Sequence, residues 1–359
     1  MSDTPRPTPA ARVRAVTPYA PPGVSSCPLS TARCPLSLHA NEGRAPDAAI
    51  LERLRSLDAE TLRRYAKPTA LEALLADRFG VEPGRVVVTA GADDALERLC
   101  RAALEPGRTA VLTDPTFEML PRYVRLAGAQ PIDIPWLDRP FPGEEFEAAI
   151  DARTGAAFIV SPNNPTGAAV GGHDAFGIAE RNPACLVVAD LAYVEFADED
   201  PTGELLRLPN AVVTRTFSKA WGLAGLRVGY AIGPAEIIGW LRTVGHPFPT
   251  SGVSLALAAA ALEGDQAATR AYLDRVRGER VELATMLRSL GAEAPPSQGN
   301  FVLARFADAW AVADALAARG IRVRRFERGT PLGDRLRITC PGDSADFDRL
   351  TAALREVLA

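Results

Sequence analysis

The stretch of sequence that decides the fold reads Thr216-Phe217-Ser218-Lys219-Ala220-Trp221-Gly222-Leu223-Ala224-Gly225-Leu226-Arg227-Val228-Gly229-Tyr230. It follows an apolar run at 211–214 that is typical of a buried strand. Lys219 lies among hydroxyl side chains, with Arg227 nearby. A lysine that attacks an aldehyde must lose its proton, and a protected site with cationic neighbours favours that loss. Hydroxyls beside an arginine suit a phosphate group. An exposed lysine in a glycine-rich turn is the alternative, so the surrounding pattern has to decide.

Strands and helices alternate before this stretch. Short apolar runs predict buried strands at 86–89, 110–113, 157–160, 186–189 and 211–214. One predicted helix starts at Thr69, where Thr69 and Glu72 have the spacing of a capping box, and Gly80 stops it. Continuous apolar strands separated by helices predict an α/β fold, with a mostly parallel sheet covered on both faces.

The pattern changes after about residue 248. Long helical patterns precede short strands and a final helix, with the strands at 301–304, 321–325 and 336–339. A chain of 359 residues is too long for one core. We therefore predict an N-terminal arm (1–45), a large domain (46–248) and a smaller α+β domain (249–359).

Composition and charge argue against several classes of function. The net charge is −4 and the pI is about 5.6, without a long basic run, which argues against nucleic-acid and membrane-surface partners. The sequence has five cysteines, without a C-x-x-C pair, and three histidines, which argues against a metal site. The scattered, odd number of cysteines predicts that the protein is located in a reducing cytoplasm. The sequence shows neither a membrane-length apolar run nor the apolar core of a secretory signal. Residues 1–36 predict a loosely ordered arm, with a transit peptide as the alternative.

The order of the motifs resembles that of the fold-type I enzymes that use pyridoxal 5′-phosphate (PLP), the class I/II aminotransferases. The stretch 216–230 resembles their S-K-x-x-x-L-x-G-x-R-x-G-Y signature. Residues 161–167 resemble their S-N-P-N-N-P-T-G loop, and Asp190 to Tyr193 resembles D-E-A-Y with Leu191 in place of the glutamate. The resemblance covers nearly the whole chain and implies a PLP-dependent enzyme.

The resemblance implies three catalytic residues. Lys219 would attach the cofactor and move the substrate proton. Asp190 would keep the pyridine nitrogen protonated, which strengthens the ring as an electron sink. Tyr193 would join Asn164 at the phenolic oxygen. From its position alone, Asp190 could equally be the N-cap of a helix.

The remaining cofactor contacts follow in the same way. The resemblance places the cofactor phosphate at Gly91, Ala92, Asp93, Thr216, Ser218 and Arg227. Backbone N–H groups at a helix start bind anions, although an ordinary capped turn explains Gly91–Asp93 equally well. Phe117 would stack on the ring, or else be a core side chain. Tyr65 would reach the cofactor phosphate of a neighbouring subunit, which implies a homodimer.

Several segments resemble the histidinol-phosphate aminotransferases in particular. They include 17–19 (Thr-Pro-Tyr), 38–42 (Leu-His-Ala-Asn-Glu) and 64–65 (Arg-Tyr). This resemblance implies substrate contacts at Tyr19, Asn41, Arg324 and Arg337. Arg337 would pair with an α-carboxylate and Arg324 with the phosphate of histidinol phosphate. The expected partners are therefore a small-molecule amino donor and a 2-oxo acid acceptor, 2-oxoglutarate.

Three departures from that branch leave other substrates open. They are Gly43-Arg44 in place of N-P, Ala66 after Arg64-Tyr65, and Cys340-Pro341 after Thr339. One alternative is a decarboxylase of the threonine-phosphate type. Another is an aminotransferase of specialised metabolism. A non-catalytic module is disfavoured, because residues 1–45 are too short and proline-rich for a DNA-binding extension.

Overall fold

The computed structural model describes residues 9–19 and 36–359, which form two β-sheets surrounded by helices. The helices are α1 Ala11–Arg14, α2 Ala48–Arg55, α3 Ala59–Arg63, α4 Thr69–Phe79, α5 Ala92–Ala103, α6 Leu120–Leu126, α7 Gly143–Ala148, α8 Gly172–Arg181, α9 Thr202–Leu205, α10 Ala235–Val244, α11 Gly252–Glu263, α12 Ala267–Ser289, α13 Ala309–Ala318 and α14 Ser344–Leu358. The strands are β1 Leu36–Leu38, β2 Val86–Thr89, β3 Thr109–Asp114, β4 Gln130–Pro135, β5 Thr154–Val160, β6 Leu186–Asp190, β7 Ala211–Thr216, β8 Gly229–Ile232, β9 Phe301–Arg305, β10 Ile321–Arg325 and β11 Arg335–Thr339. Within these ranges, no helix combines the length and the apolar character needed to cross a membrane.

The larger sheet has seven strands in the order β2-β8-β7-β6-β5-β3-β4. Five of them pair in parallel, and β8 runs antiparallel to its neighbours β2 and β7. Helices α5, α6 and α10 pack on one face, and α7 and α8 on the other. The central strands β5, β6 and β7 are buried along their whole length. This confirms the predicted parallel sheet, its five predicted strands and its cover of helices.

The smaller sheet has the order β1-β10-β11-β9, and its last three strands confirm those predicted near the C-terminus. Two segments pack across the predicted domain boundaries. β1, from the predicted arm, pairs in parallel with β10. Helix α11 shares a core with Leu71 and Leu75 of α4, on the side of the large sheet. The division at residues 45 and 248 stays a prediction.

Helix α4 begins and ends as predicted, but the capping box is wrong. Its N-cap is Pro68, which makes no side-chain hydrogen bond, and Gly80 ends it with φ of 63°. Glu72 is instead 4% exposed and accepts a hydrogen bond from the Val88 N–H at 3.0 Å. Arg242 adds an ion pair at 3.1 Å. The buried N–H of Val88 and the partly exposed guanidinium of Arg242 together stabilise the buried carboxylate more than a local cap exposed to water would.

The strand directions bring the candidate site together. The carboxyl ends of parallel strands meet at one edge of a sheet, where ligands of open α/β sheets bind. Strand β6 ends there at Asp190 and β7 at Thr216. Strand β5 leads into the loop 161–167. Because β2 and β7 are both antiparallel to β8, β2 also ends at this edge and leads into the start of α5.

The buried carboxylate of Glu72 generates a prediction about stability. Glu72→Ala removes the partner of a buried strand N–H and of Arg242, and we expect it to lower the free energy of unfolding by about 2–3 kcal/mol. Glu52→Ala, which breaks an exposed pair with Arg55, should change it by less than about 0.5 kcal/mol. Urea denaturation followed by circular dichroism measures both. Equal effects of the two variants would contradict the structural role of Glu72.

Candidate active site

A cavity of about 430 Å³ lies at the carboxyl edge of the large sheet. Its lining includes the predicted site residues except Gly91, Asn41 and Tyr65. It also includes residues that sequence reasoning missed, among them His39, Glu42 and Glu118. The structure thus brings together residues that lie more than 300 positions apart in the chain.

One corner of the cavity has the character of a phosphate site. Gly91 precedes α5 with φ of 85°, and a Cβ there would lie 2.6 Å from Arg227 Nη2. Only glycine lets the guanidinium approach the helix start so closely. Arg227 Nη1 lies 3.4 Å from Ser218 Oγ, which accepts a hydrogen bond from Thr216 Oγ1 at 2.9 Å. Helix N–H groups, two hydroxyls and a guanidinium together suit a phosphate dianion.

Lys219 lines the cavity from the loop after β7. Its Nζ donates to the Ala40 carbonyl at 3.2 Å and lies 5.7 Å from the centre of the Tyr193 ring. A Cβ on Gly43 would lie 2.0 Å from the Lys219 carbonyl oxygen. The glycine at this position therefore allows the segment that follows β1 to pack directly on the lysine loop.

Asp190 provides a buried acid at the end of β6. It is 5% exposed, and its side chain accepts a hydrogen bond from Thr214 Oγ1 at 3.1 Å. Burial raises the pKa of Asp190 to about 7, because the carboxylate is desolvated, while the Thr214 hydrogen bond opposes the rise. Among residues 9–19 and 36–359, no cationic side chain pairs with Asp190, and a buried carboxyl of this kind is suited to a cationic ligand group, such as a protonated ring nitrogen.

Asn41 lies behind Tyr193 instead of in the cavity lining. Its Nδ2 donates to the Tyr193 hydroxyl at 3.1 Å, and its Oδ1 accepts from Thr339 Oγ1 at 2.9 Å. The residue is 1% exposed and has φ of 54°. Asn41 does not line the cavity, and both polar atoms of its side chain are engaged by protein, so its predicted contact with substrate stays a prediction. The hydrogen bond from Asn41 restrains the orientation of the Tyr193 phenol.

Arg324 and Arg337 lie opposite each other in the register of β10 and β11. The guanidinium of Arg337 is held by the Asn164 side-chain oxygen and, at 2.7 Å, by the His39 carbonyl. Its Nε is buried and has no hydrogen-bond partner in the part of the chain that the structure describes. Burial lowers the pKa of Arg337 to about 10, so the group stays charged at neutral pH. Two facing guanidinium groups make this wall of the cavity suited to an anionic substrate group.

Glu118 is the charged residue that sequence reasoning missed on this wall. It pairs with Arg324 at 3.2 Å and accepts a hydrogen bond from the Tyr19 hydroxyl at 3.1 Å. Burial and the Glu118 carboxylate raise the pKa of Tyr19. The available signal was its position directly after Phe117, at the carboxyl end of a strand.

Tyr65 lies outside the cavity of its own chain. It is 82% exposed, and its ring stacks on Phe248 with centroids 4.6 Å apart. In a single chain, this residue therefore makes no contact with the site.

Comparison with known proteins identifies the family. The family model "Aminotransferase class I and II" matches residues 36–354, so the chain belongs to that family. A histidinol-phosphate aminotransferase of Dinoroseobacter shibae is 37% identical over 332 residues, covering 89% of this chain and 90% of that relative. The crystal structure of histidinol-phosphate aminotransferase from Sinorhizobium meliloti in complex with PLP has a TM-score of 0.83 and 28% identity, with 91% of each chain covered. The resemblance to class I/II aminotransferases is confirmed, and membership implies amino and oxo acid substrates.

A decarboxylase has a related fold. L-threonine-O-3-phosphate decarboxylase from Porphyromonas gingivalis has a TM-score of 0.77 and 21% identity, covering 89% of this chain and 98% of that one. At this identity the likeness extends to the fold alone. The choice between transamination and decarboxylation depends on which substrate bond the site activates.

The buried acid generates a prediction about pH. In the cofactor-free protein, the raised pKa means that native Asp190 keeps a proton that the unfolded chain loses near pH 3.8. Stability should therefore fall as pH rises from about 4 to 7. Asp190→Asn removes this loss, so the variant should be more stable than the wild type at pH 8, by on the order of a few kcal/mol, and similar at pH 4. Thermal unfolding of both proteins between pH 4 and pH 8 measures this difference in stability. Asp151→Asn, at an exposed position whose hydrogen bonds lower its pKa, is the control and should bring no gain at pH 8.

Proposed function

We propose that this chain is a PLP-dependent histidinol-phosphate aminotransferase that uses 2-oxoglutarate as acceptor. The observation that carries the proposal is the Arg324–Arg337 pair on the wall of the cavity that contains Lys219 and Asp190. The pair suits the phosphate of the amine in one half of the reaction, and Arg337 suits a carboxylate of glutamate in the other. The names of the relatives that match over most of the chain support the same substrate.

The residues of the site suit PLP. The buried acid without an ion pair and the hydroxyl-lined corner at the start of α5 match its ring nitrogen and its phosphate. The residues that would hold it are Ala92, Asp93, Thr216, Ser218 and Arg227 at the phosphate, Phe117 on the ring face, Asn164 and Tyr193 at the phenolic oxygen, Asp190 at the nitrogen and Lys219 at the aldehyde. When bound, PLP supplies an electron sink for the charge left on the substrate Cα.

The chain's own residues supply proton transfer and exclude water. Lys219 Nζ would be the base that accepts the proton from the substrate Cα and later gives that proton up. The Ala40 carbonyl and the Tyr193 ring position that nitrogen. Burial of Asp190 keeps water from its carboxylate, which strengthens its interaction with a cation.

A homodimer and a cytoplasmic location are part of the proposal. Exposed apolar side chains lie on α2, on α3 and near Phe248: Leu51, Leu54, Leu62 and Tyr65. A patch of this kind marks an interaction surface, and a two-fold dimer would bring the partner's copy of this surface to it. Cys100, Cys185 and Cys340 are free and buried, which supports a reducing compartment.

Substrate choice is tested by Arg324→Ala. We expect this variant to weaken the binding of histidinol phosphate by about 2–5 kcal/mol, or tens- to thousands-fold, because the phosphate loses a charged partner. Glutamate, which relies on Arg337, should change little. Arg325→Ala, whose target is an exposed residue of the same strand paired with Asp314, is the control. The absorbance of bound cofactor, followed as each amine is added, gives both affinities.

Three outcomes would contradict parts of this assignment. Equal losses of affinity for both substrates in Arg324→Ala would indicate that Arg324 has a general structural role. A wild-type enzyme that ignores histidinol phosphate would remove the substrate assignment while leaving the family intact. Release of CO₂ without amino transfer would favour the decarboxylase.

Subunit sharing is tested by mixing two inactive or weakened variants. Lys219→Ala removes the base, and Tyr65→Phe removes the hydroxyl proposed to reach the other subunit's cofactor phosphate. A mixed dimer then has one intact site, so activity should rise above that of either parent after subunit exchange. Lys219→Ala mixed with the wild type sets the maximum. Activity that stays at the level of the parents would show that the site lies within one subunit.

A further inference from the structure

A carboxylate already occupies the arginine expected to bind the substrate phosphate. Both oxygens of Glu118 accept from Arg324 Nη2 at 3.2 Å, and the Tyr19 hydroxyl donates to Oε1 at 3.1 Å. The Arg324 side chain is 13% exposed and that of Glu118 46% exposed. One of the two guanidinium groups on this wall is therefore neutralised by the protein itself.

The other guanidinium has no such competitor among the described residues. Arg337 is held by an amide oxygen and a carbonyl oxygen, which are both neutral, and its Nε has no partner. An anion that binds Arg337 thus displaces no charge. An anion that binds Arg324 fully has to replace the carboxylate of Glu118. The two arginines are unequal sites for an anion.

Glu118 has space to leave Arg324. A second cavity of about 500 Å³ is lined by Glu118 and Arg324 together with residues 15–17 of the arm. Glu118, Arg324 and Arg337 line both cavities, and Arg122 and Arg125 line the second one. A carboxylate that moved into the second cavity would remain near these cationic groups, which it would share with the carboxylates of Asp114 and Asp133 in the same lining.

We propose that Glu118 is a specificity-determining residue that yields Arg324 to a phosphate ester but not to a carboxylate. A carboxylate that replaces Glu118 exchanges one ion pair for an equal one and gains nothing. A phosphate carries up to two negative charges and three acceptor oxygens, so the exchange favours it. One pocket can then bind a phosphorylated amine through both arginines and a dicarboxylate through Arg337. The choice of a phosphorylated amine rests on the proposed function, but the competition at Arg324 does not.

The test measures binding of two unreactive probes, inorganic phosphate and glutarate, to the PLP-loaded enzyme by calorimetry. In the wild-type background, Arg324→Ala should weaken the binding of phosphate and leave the affinity for glutarate unchanged. Glu118→Gln keeps the shape and removes the charge. This variant should bind glutarate about two- to fivefold more tightly than the wild type, which is the effect expected from losing a partly exposed ion pair. That gain should vanish in the double variant Glu118→Gln/Arg324→Ala.

A matched control separates this effect from a general change in charge. Glu147→Gln removes a carboxylate that pairs with Arg181 on the surface and should leave both probes unchanged. The proposal is overturned if glutarate binds Glu118→Gln no more tightly than the wild type, or if the gain persists without Arg324. Thermal unfolding confirms that each variant is folded. If histidinol phosphate proves not to be a substrate, the proposed function fails, but the outcome with the two probes stands.

Discussion

The register between β6 and β7 is the constraint on which the rest of the site depends. It places Asp190 directly opposite Thr214, whose hydroxyl donates to the acid. Side chains alternate along a strand, so Thr216 lies on the same face as Thr214, two residues closer to the edge of the sheet. Lys219 follows three residues later. A shift by one residue would turn these side chains to the opposite face and separate the acid from the lysine loop.

A second register, between β10 and β11, brings positive charges together, whereas the register between β6 and β7 positions an acid. It places Arg324 opposite Arg337, and like charges in directly opposed positions destabilise a sheet. The protein offsets this by holding Arg337 with neutral oxygens and Arg324 with Glu118. The two positive charges repel each other when the site is empty, and the same two charges attract an anionic ligand.

The sequence predicted the strands, the lysine loop and most of the cavity lining, because these features depend on local patterns. Buried strands are short continuous apolar runs, and the residues of the loops follow them directly. Contacts formed only by tertiary packing could not be predicted in this way. Glu72 has the spacing of a capping box, yet its carboxylate is drawn to Val88 and Arg242, which are distant in the chain. Glu118 meets Arg324 only after both sheets have formed, and Asn41 is buried behind Tyr193 by the packing of the segment after β1.

That segment contains one of the three departures from the pattern of the histidinol-phosphate aminotransferases, Gly43-Arg44. Residues 36–44 pair with the small sheet through β1 and then cross to the lysine loop. Gly43 is needed there because a Cβ would lie 2.0 Å from the Lys219 carbonyl, and Gly222, with φ of 66°, leaves room for the Arg44 carbonyl. Asn41 connects the same segment to Tyr193 and Thr339. Glycine at 43 and arginine at 44 therefore meet the lysine loop through backbone contacts, while the two arginines of the cavity wall come from β10 and β11 and Glu118 from the loop after β3. A change of residue type at 43 and 44 can alter how the two sheets are joined without altering the groups that face the ligand.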